Sequence, residues 1–150
     1  MRYRSTASSA CFAATRARYA AEAAANIVSV FAVALLAGLE HSAYATLLPK
    51  SITAAIGMKL SEELGGVAAI TMLATVITGA FGYLSAAPLL KLLRVTDPVA
   101  KGVAIGTSSH AFGTVKAFEM GEAEGAMSSL AIAAAGLVTV AVAPLAALLL

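Results

Sequence analysis

The chain has 150 residues, of which 60% are hydrophobic and 12% charged, with a mean hydropathy of +0.89. Soluble domains run nearer 45–50% apolar and about 25% charged, so the composition excludes that class and points to an all-α, polytopic membrane protein. The formal net charge of +2 is set by Arg2, Arg4, Arg16 and Arg18 at the N-terminus, and with no basic stripe elsewhere no nucleic acid is expected as a partner.

Residues 1–25, MRYRSTASSACFAATRARYAAEAAA, form a basic extension with one acid, Glu22. Its Arg, Ser and Ala content suits an organellar transit peptide, a positive cytoplasmic flank, or a start placed upstream of the fold. Its lone Cys11 can form no intrachain disulfide. Residues 20–39 are apolar apart from Glu22 and Asn26 and reach membrane length, which predicts a transmembrane helix ending at Glu40 and His41.

Residues 42–60, SAYATLLPKSITAAIGMKL, break the apolar pattern at Pro49. A proline with Lys50, Ser51 and Thr53 just behind it reads as a helix restart, whose free N–H groups and positive dipole end would favour an anion. The alternative is a short interfacial helix with Lys50 snorkelling to water. Ser61, Glu62 and Glu63, followed by Gly65 and Gly66, read as a solvated connection rather than an acid/base pair, because adjacent residues on a helix do not face each other.

Residues 67–90 make an uncharged run long enough to span a bilayer, with Gly79, Gly82 and Pro88 inside it. Lys91, Arg94 and Lys101 then cluster around Asp97 and Pro98, which places that loop in the cytoplasm. A basic N-terminus on the same side requires an even number of crossings between the two, and so predicts that residues 42–60 are re-entrant.

The stretch 102–124, GVAIGTSSHAFGTVKAFEMGEAE, crowds small and polar residues between two lipid-length segments. Gly106-Thr107-Ser108-Ser109-His110-Ala111-Phe112-Gly113-Thr114 is a poor continuous helix, since glycine and hydroxyl side chains both weaken helical backbone. Irregular backbone at membrane depth is tolerated only where protein buries it or where it lines a wet cavity, as in transporter sites. His110 suits an anion ligand or a proton carrier, and alternatively a packing histidine bonded to a backbone carbonyl. Glu119, Glu122 and Glu124 read as a solvated acidic turn, and residues 126–150 as a final span with Pro144 inside it. The chain contains no metal-ligand cluster, paired carboxylates or nucleophile–base set in a plausible arrangement, so no enzyme activity and no cofactor are expected.

From about residue 26 to residue 150 these motifs, in their order, resemble the LrgB (CidB/LrgB) family of bacterial membrane proteins. Leu47-Leu48-Pro49-Lys50-Ser51-Ile52-Thr53 is similar to that family's LLPKSVT, and Gly65-Gly66 to the glycine pair after it. The loop LKLLRVTDPVAKG at residues 90–102 is similar to LLKLLRIKDPIARG, GTSSHAFGT to GTASHGIGT, and EMGEAEGA at residues 119–126 to ELGEEEGA. Two departures stand out. Thr53-Ala54-Ala55 occupies the place of a usual Thr-Thr-Pro, and the family's N-terminal half of several spans has no counterpart here.

The resemblance implies a 26–150 membrane module equivalent to the second of two related halves, completed by a homo-oligomer or by a separate first half. It implies either a carrier of small carboxylates such as pyruvate, glycolate or glycerate, or an antiholin-like regulator of murein hydrolase export and lysis with a holin-like partner. Sequence physics favours the carrier. Lys50 would supply charge, Ser51, Thr53, Thr107 and Ser108 hydrogen bonds, and His110 anion binding or a coupled proton. The expected location is the bacterial inner membrane, with the organellar inner envelope as the alternative.

Overall fold

A computed structural model describes residue 21 and residues 24–148, so most of the basic extension lies outside the described residues. The first helix, α1, runs Ala24–Ala37. It ends on Gly38, whose φ of 61° is open to glycine and costly for other residues. The Gly38 N–H then donates to the Leu35 carbonyl and the Leu39 N–H to the Ala34 carbonyl, closing the helix with its last carbonyls satisfied.

Three residues later α2 (His41–Leu47) begins, and a 3-10 turn (Leu48–Ser51) follows with Pro49 at its start. The helix does not restart at Pro49. Ile52 and Thr53 are extended first, at φ −124°, ψ 179° and φ −58°, ψ 138°, and α3 (Ala54–Glu63) starts from Thr53. The break therefore forms here without the second proline. Ser61, Glu62 and Glu63 belong to α3 rather than to a loop, because the turn waits for Gly65 with its φ of 84°. The chain then returns to α2, where Thr46 Oγ1 accepts from the Val67 N–H at 2.8 Å.

α4 (Ala68–Leu92) and α6 (Glu122–Ala147) are the two described helices long and apolar enough to cross a membrane. At 1.5 Å per residue each reaches almost 40 Å, against a hydrocarbon core of about 30 Å. Between them, Asp97 caps α5 by accepting the Ala100 N–H at 2.7 Å, with Pro98 in the first turn.

α5 (Pro98–Met120) is two arms, not one rod. His110, at φ 50° and ψ −140°, leaves the helical region and reverses the chain. The reversal is fixed by what each arm touches on α6. Gly102 in the first arm lies against the Glu124 backbone, and Phe118 in the second arm lies against Gly125. In a straight helix those two residues would stand about 24 Å apart, yet their partners are neighbours. Gly106 against the Ser128 backbone and Thr114 Oγ1 bonded to Ser128 Oγ at 2.7 Å repeat the pattern nearer the bend. Small residues allow this approach, since a Cβ at Gly102 or Gly106 would run into α6 backbone.

A buried cluster of Ile27, Val30, Tyr44, Leu48, Ile52 and Leu60 holds α1, the α2–α3 region and the end of α6 together, whereas α4 turns its large side chains outward. Buried positions on α4 include Thr71, Thr75 and Gly79, while Ile70, Leu73, Ile77, Phe81 and Leu84 are exposed. A face of large apolar side chains turned outward over small and hydroxyl residues suits lipid as the surrounding solvent. The inner hydroxyls are satisfied by backbone: Thr71 Oγ1 donates to the Thr46 carbonyl at 2.8 Å and Thr75 Oγ1 to the Thr71 carbonyl at 2.9 Å. The molecule is an all-α membrane protein with two broken segments, as its composition predicts.

Candidate functional site

The two broken segments approach α6 from opposite ends. The base of α5 lies beside the start of α6, where Lys101 meets Glu124 at 3.9 Å. The start of α2 lies beside the end of α6, where the Tyr44 hydroxyl donates to the Ala146 carbonyl at 3.1 Å. The arms of α5 are about 18 Å and 15 Å long, so the bend at His110 lies roughly half a hydrocarbon-core thickness from the base of α5. There it meets the 3-10 turn of the other broken segment, with the His110 imidazole beside Lys50.

Around this meeting point is a cleft of ≈ 270 Å³ lined by Asn26, Lys50, Ser51, Ala104, Thr107 and Ser108. Three elements therefore contribute: α1 supplies Asn26, the 3-10 turn Lys50 and Ser51, and the first arm of α5 the rest. Lys50 is half-buried, and its ammonium donates to Ser51 Oγ at 3.3 Å and more weakly to Asn26 Oδ1 at 3.5 Å. Ser51 donates to the same Asn26 oxygen at 2.5 Å. The hydroxyls of the α5 wall point their protons into their own helix, Thr107 Oγ1 to the Val103 carbonyl at 2.9 Å and Ser108 Oγ to the Ala104 carbonyl at 2.7 Å.

Of the residues singled out in the sequence, Lys50, Ser51, Thr107 and Ser108 share this cleft. His110 stands behind it, 3% exposed, and its Nε2 finds no hydrogen-bond partner among the described residues. Thr53 lies outside the cleft lining and leads into α3, its carbonyl accepting the Gly57 N–H at 2.8 Å. Asn26 is the residue that sequence reasoning passed over. Its signal was a lone amide in an otherwise apolar helix, a feature that membrane helices seldom carry without a polar partner.

The expectation of a solvated acidic turn holds for two of its three glutamates. Glu124 is 8% exposed rather than solvated, because Gly121 alone separates α5 from α6 and the following turn is pressed against Gly102 and Lys101. Glu119 and Glu122 are exposed, and Glu119 joins α5 to α4 by accepting from Lys116 Nζ at 2.7 Å and the Tyr83 hydroxyl at 2.8 Å.

The LrgB-like family matches residues 9–149. The antiholin-like protein LrgB of Bacillus cereus is 42% identical over 120 residues, covering 80% of this chain and 52% of that protein. The antiholin-like protein LrgB of Bacillus anthracis matches with the same identity and coverage. The chain thus spans about half the length of the curated relatives it matches. No solved structure matches it. With the match running through both broken segments and the cleft between them, the chain belongs to the LrgB-like family.

Proposed function

We propose that this chain is a transport module for small carboxylates of the pyruvate or glycolate type, working in the bacterial inner membrane. The observation that supports it is one half-buried lysine at the meeting point of two broken segments, in a cleft where Asn26, Ser51, Thr107 and Ser108 stand around it. An ionisable group at membrane depth marks a solute pathway by default, and broken helices are the usual way to build one. Lys50 binds the carboxylate, Ser51, Thr107 and Ser108 line the path, and Thr53 holds the turn. His110 either approaches the anion or carries a coupled proton.

The test is uptake of labelled pyruvate or glycolate into membrane vesicles. Lys50→Ala is expected to lower uptake at least tenfold, the loss of about 1.4 kcal/mol or more of charge-assisted binding. His110→Ala is expected to lower it as well. Wild-type uptake in both variants would remove the two residues from the mechanism.

A second reading rests on the relatives' names, which describe antiholin-like proteins. On that reading the chain regulates murein hydrolase export and lysis through a holin-like membrane partner. Co-purification with such a partner, together with altered autolysis and unchanged carboxylate flux on deletion, would favour it.

A further inference from the structure

The cleft contains a polar group that simple attraction of an anion does not require. Asn26 sits on α1, far in sequence from both broken segments, yet its Oδ1 accepts from Ser51 at 2.5 Å and from Lys50 at 3.5 Å. Those bonds turn the oxygen of the amide toward the 3-10 turn. The same planar group carries two N–H donors. The neighbouring hydroxyls have their protons committed, Ser51 to Asn26, Thr107 to the Val103 carbonyl and Ser108 to the Ala104 carbonyl. Among the described residues, the donors left to greet a solute are the Lys50 ammonium and the Asn26 amide nitrogen.

Resting on the transport reading above, we propose that Asn26 is the specificity-determining residue of this cleft. Lys50 takes the carboxylate, and the Asn26 amide donates to an oxygen on the adjacent carbon. The site then selects 2-oxo and 2-hydroxy carboxylates over plain carboxylates of the same size. A carboxylate without the second oxygen leaves the amide donors unpaired in a half-buried position, which penalises its binding.

Membrane vesicles from cells expressing the full chain provide the test, with labelled pyruvate as probe and unlabelled glycolate, acetate and propionate as competitors. In the wild type, glycolate is expected to compete roughly tenfold better than acetate or propionate, the worth of one hydrogen bond to the second oxygen. Asn26→Ala is expected to erase that preference while Lys50 sustains slower uptake. Asn26→Asp keeps an acceptor for Ser51 and Lys50 but replaces the donors with negative charge, so uptake should fall at least tenfold at unchanged membrane level. If Asn26→Ala does not insert, Asn26→Asp carries the test alone. Wild-type preference and rate in the inserted variants would overturn the assignment of Asn26 and leave the transport reading standing. Absence of uptake by the wild type would overturn both.

Discussion

His110 holds a backbone conformation, φ 50° and ψ −140°, that suits glycine and penalises every residue with a Cβ. Such positions cost about 1–3 kcal/mol and persist where the surroundings over-determine them, often at functional sites. Here the surroundings are the two arms of α5 against α6 on one side and the Lys50 turn on the other. The side chain is buried with an unpartnered Nε2, so histidine adds a desolvation cost to the backbone cost. A glycine at this position would relieve both. His110→Gly is therefore expected to exceed His110→Ala in stability by about 1 kcal/mol in denaturant titrations of the detergent-solubilised protein, since both lose the imidazole and only one loses the Cβ. Equal stability of the two variants would mean that the bend is not strained.

At the scale of elements, the folded-back α5 is the feature that organises the site. Lys101 and Glu124 face each other at 3.9 Å, and Thr114 and Ser128 bond at 2.7 Å. In a straight α5, residues 101 and 114 would be about 20 Å apart along the axis, while 124 and 128 on α6 are separated by about 6 Å. Both pairs can form only if the helix reverses. With Cys11→Ser as background, a Thr114→Cys/Ser128→Cys pair should oxidise to a disulfide, and a Lys101→Cys/Glu124→Cys pair should bridge with a short bifunctional reagent. Failure of either in inserted protein would contradict the reversal.

The sequence made much of this element legible. Glycines and hydroxyls between residues 106 and 114 marked it as a poor rod, and the proline at position 49 marked the other break. What it did not reveal is where each break falls. Thr107, Ser108 and Thr114 remain helical, their hydroxyls bonded to carbonyls one turn back, and the irregular backbone is confined to His110. Likewise α3 absorbs Ser61 to Glu63, since nothing in those residues stops a helix before Gly65. The lone amide of Asn26 stood out in its helix, but its place in the site did not, because its partners lie 24 and 25 positions away and are brought to it only by packing.

At the scale of the whole molecule, the basic residues sort by end: Lys91, Arg94, Lys101 and Lys116 lie at or near the base of α5 together with Asp97, Glu119, Glu122 and Glu124, whereas the α2–α3 end carries Lys59 with Glu40, Glu62 and Glu63. The positive-inside bias, which counts lysine and arginine alone, predicts the base of α5 in the cytoplasm and the α2–α3 end on the opposite side. Two segments that each enter, turn near mid-depth and leave from opposite faces would bring Lys50 and His110 together from the two aqueous phases, the geometry that alternating access needs. Single cysteines introduced in the Cys11→Ser background at Thr96, Glu122 and Glu62 test this with a membrane-impermeant thiol reagent. The residues at 96 and 122 flank α5, so both are expected to react only from the cytoplasmic side, which also requires that α5 not cross. The residue at 62 is expected to react only from the outside, which requires that α4 does cross. Labelling of 96 and 122 from opposite sides would make α5 a spanning helix. Labelling of 62 and 122 from the same side would place both broken segments on one face, and no path through the cleft could then join the two compartments.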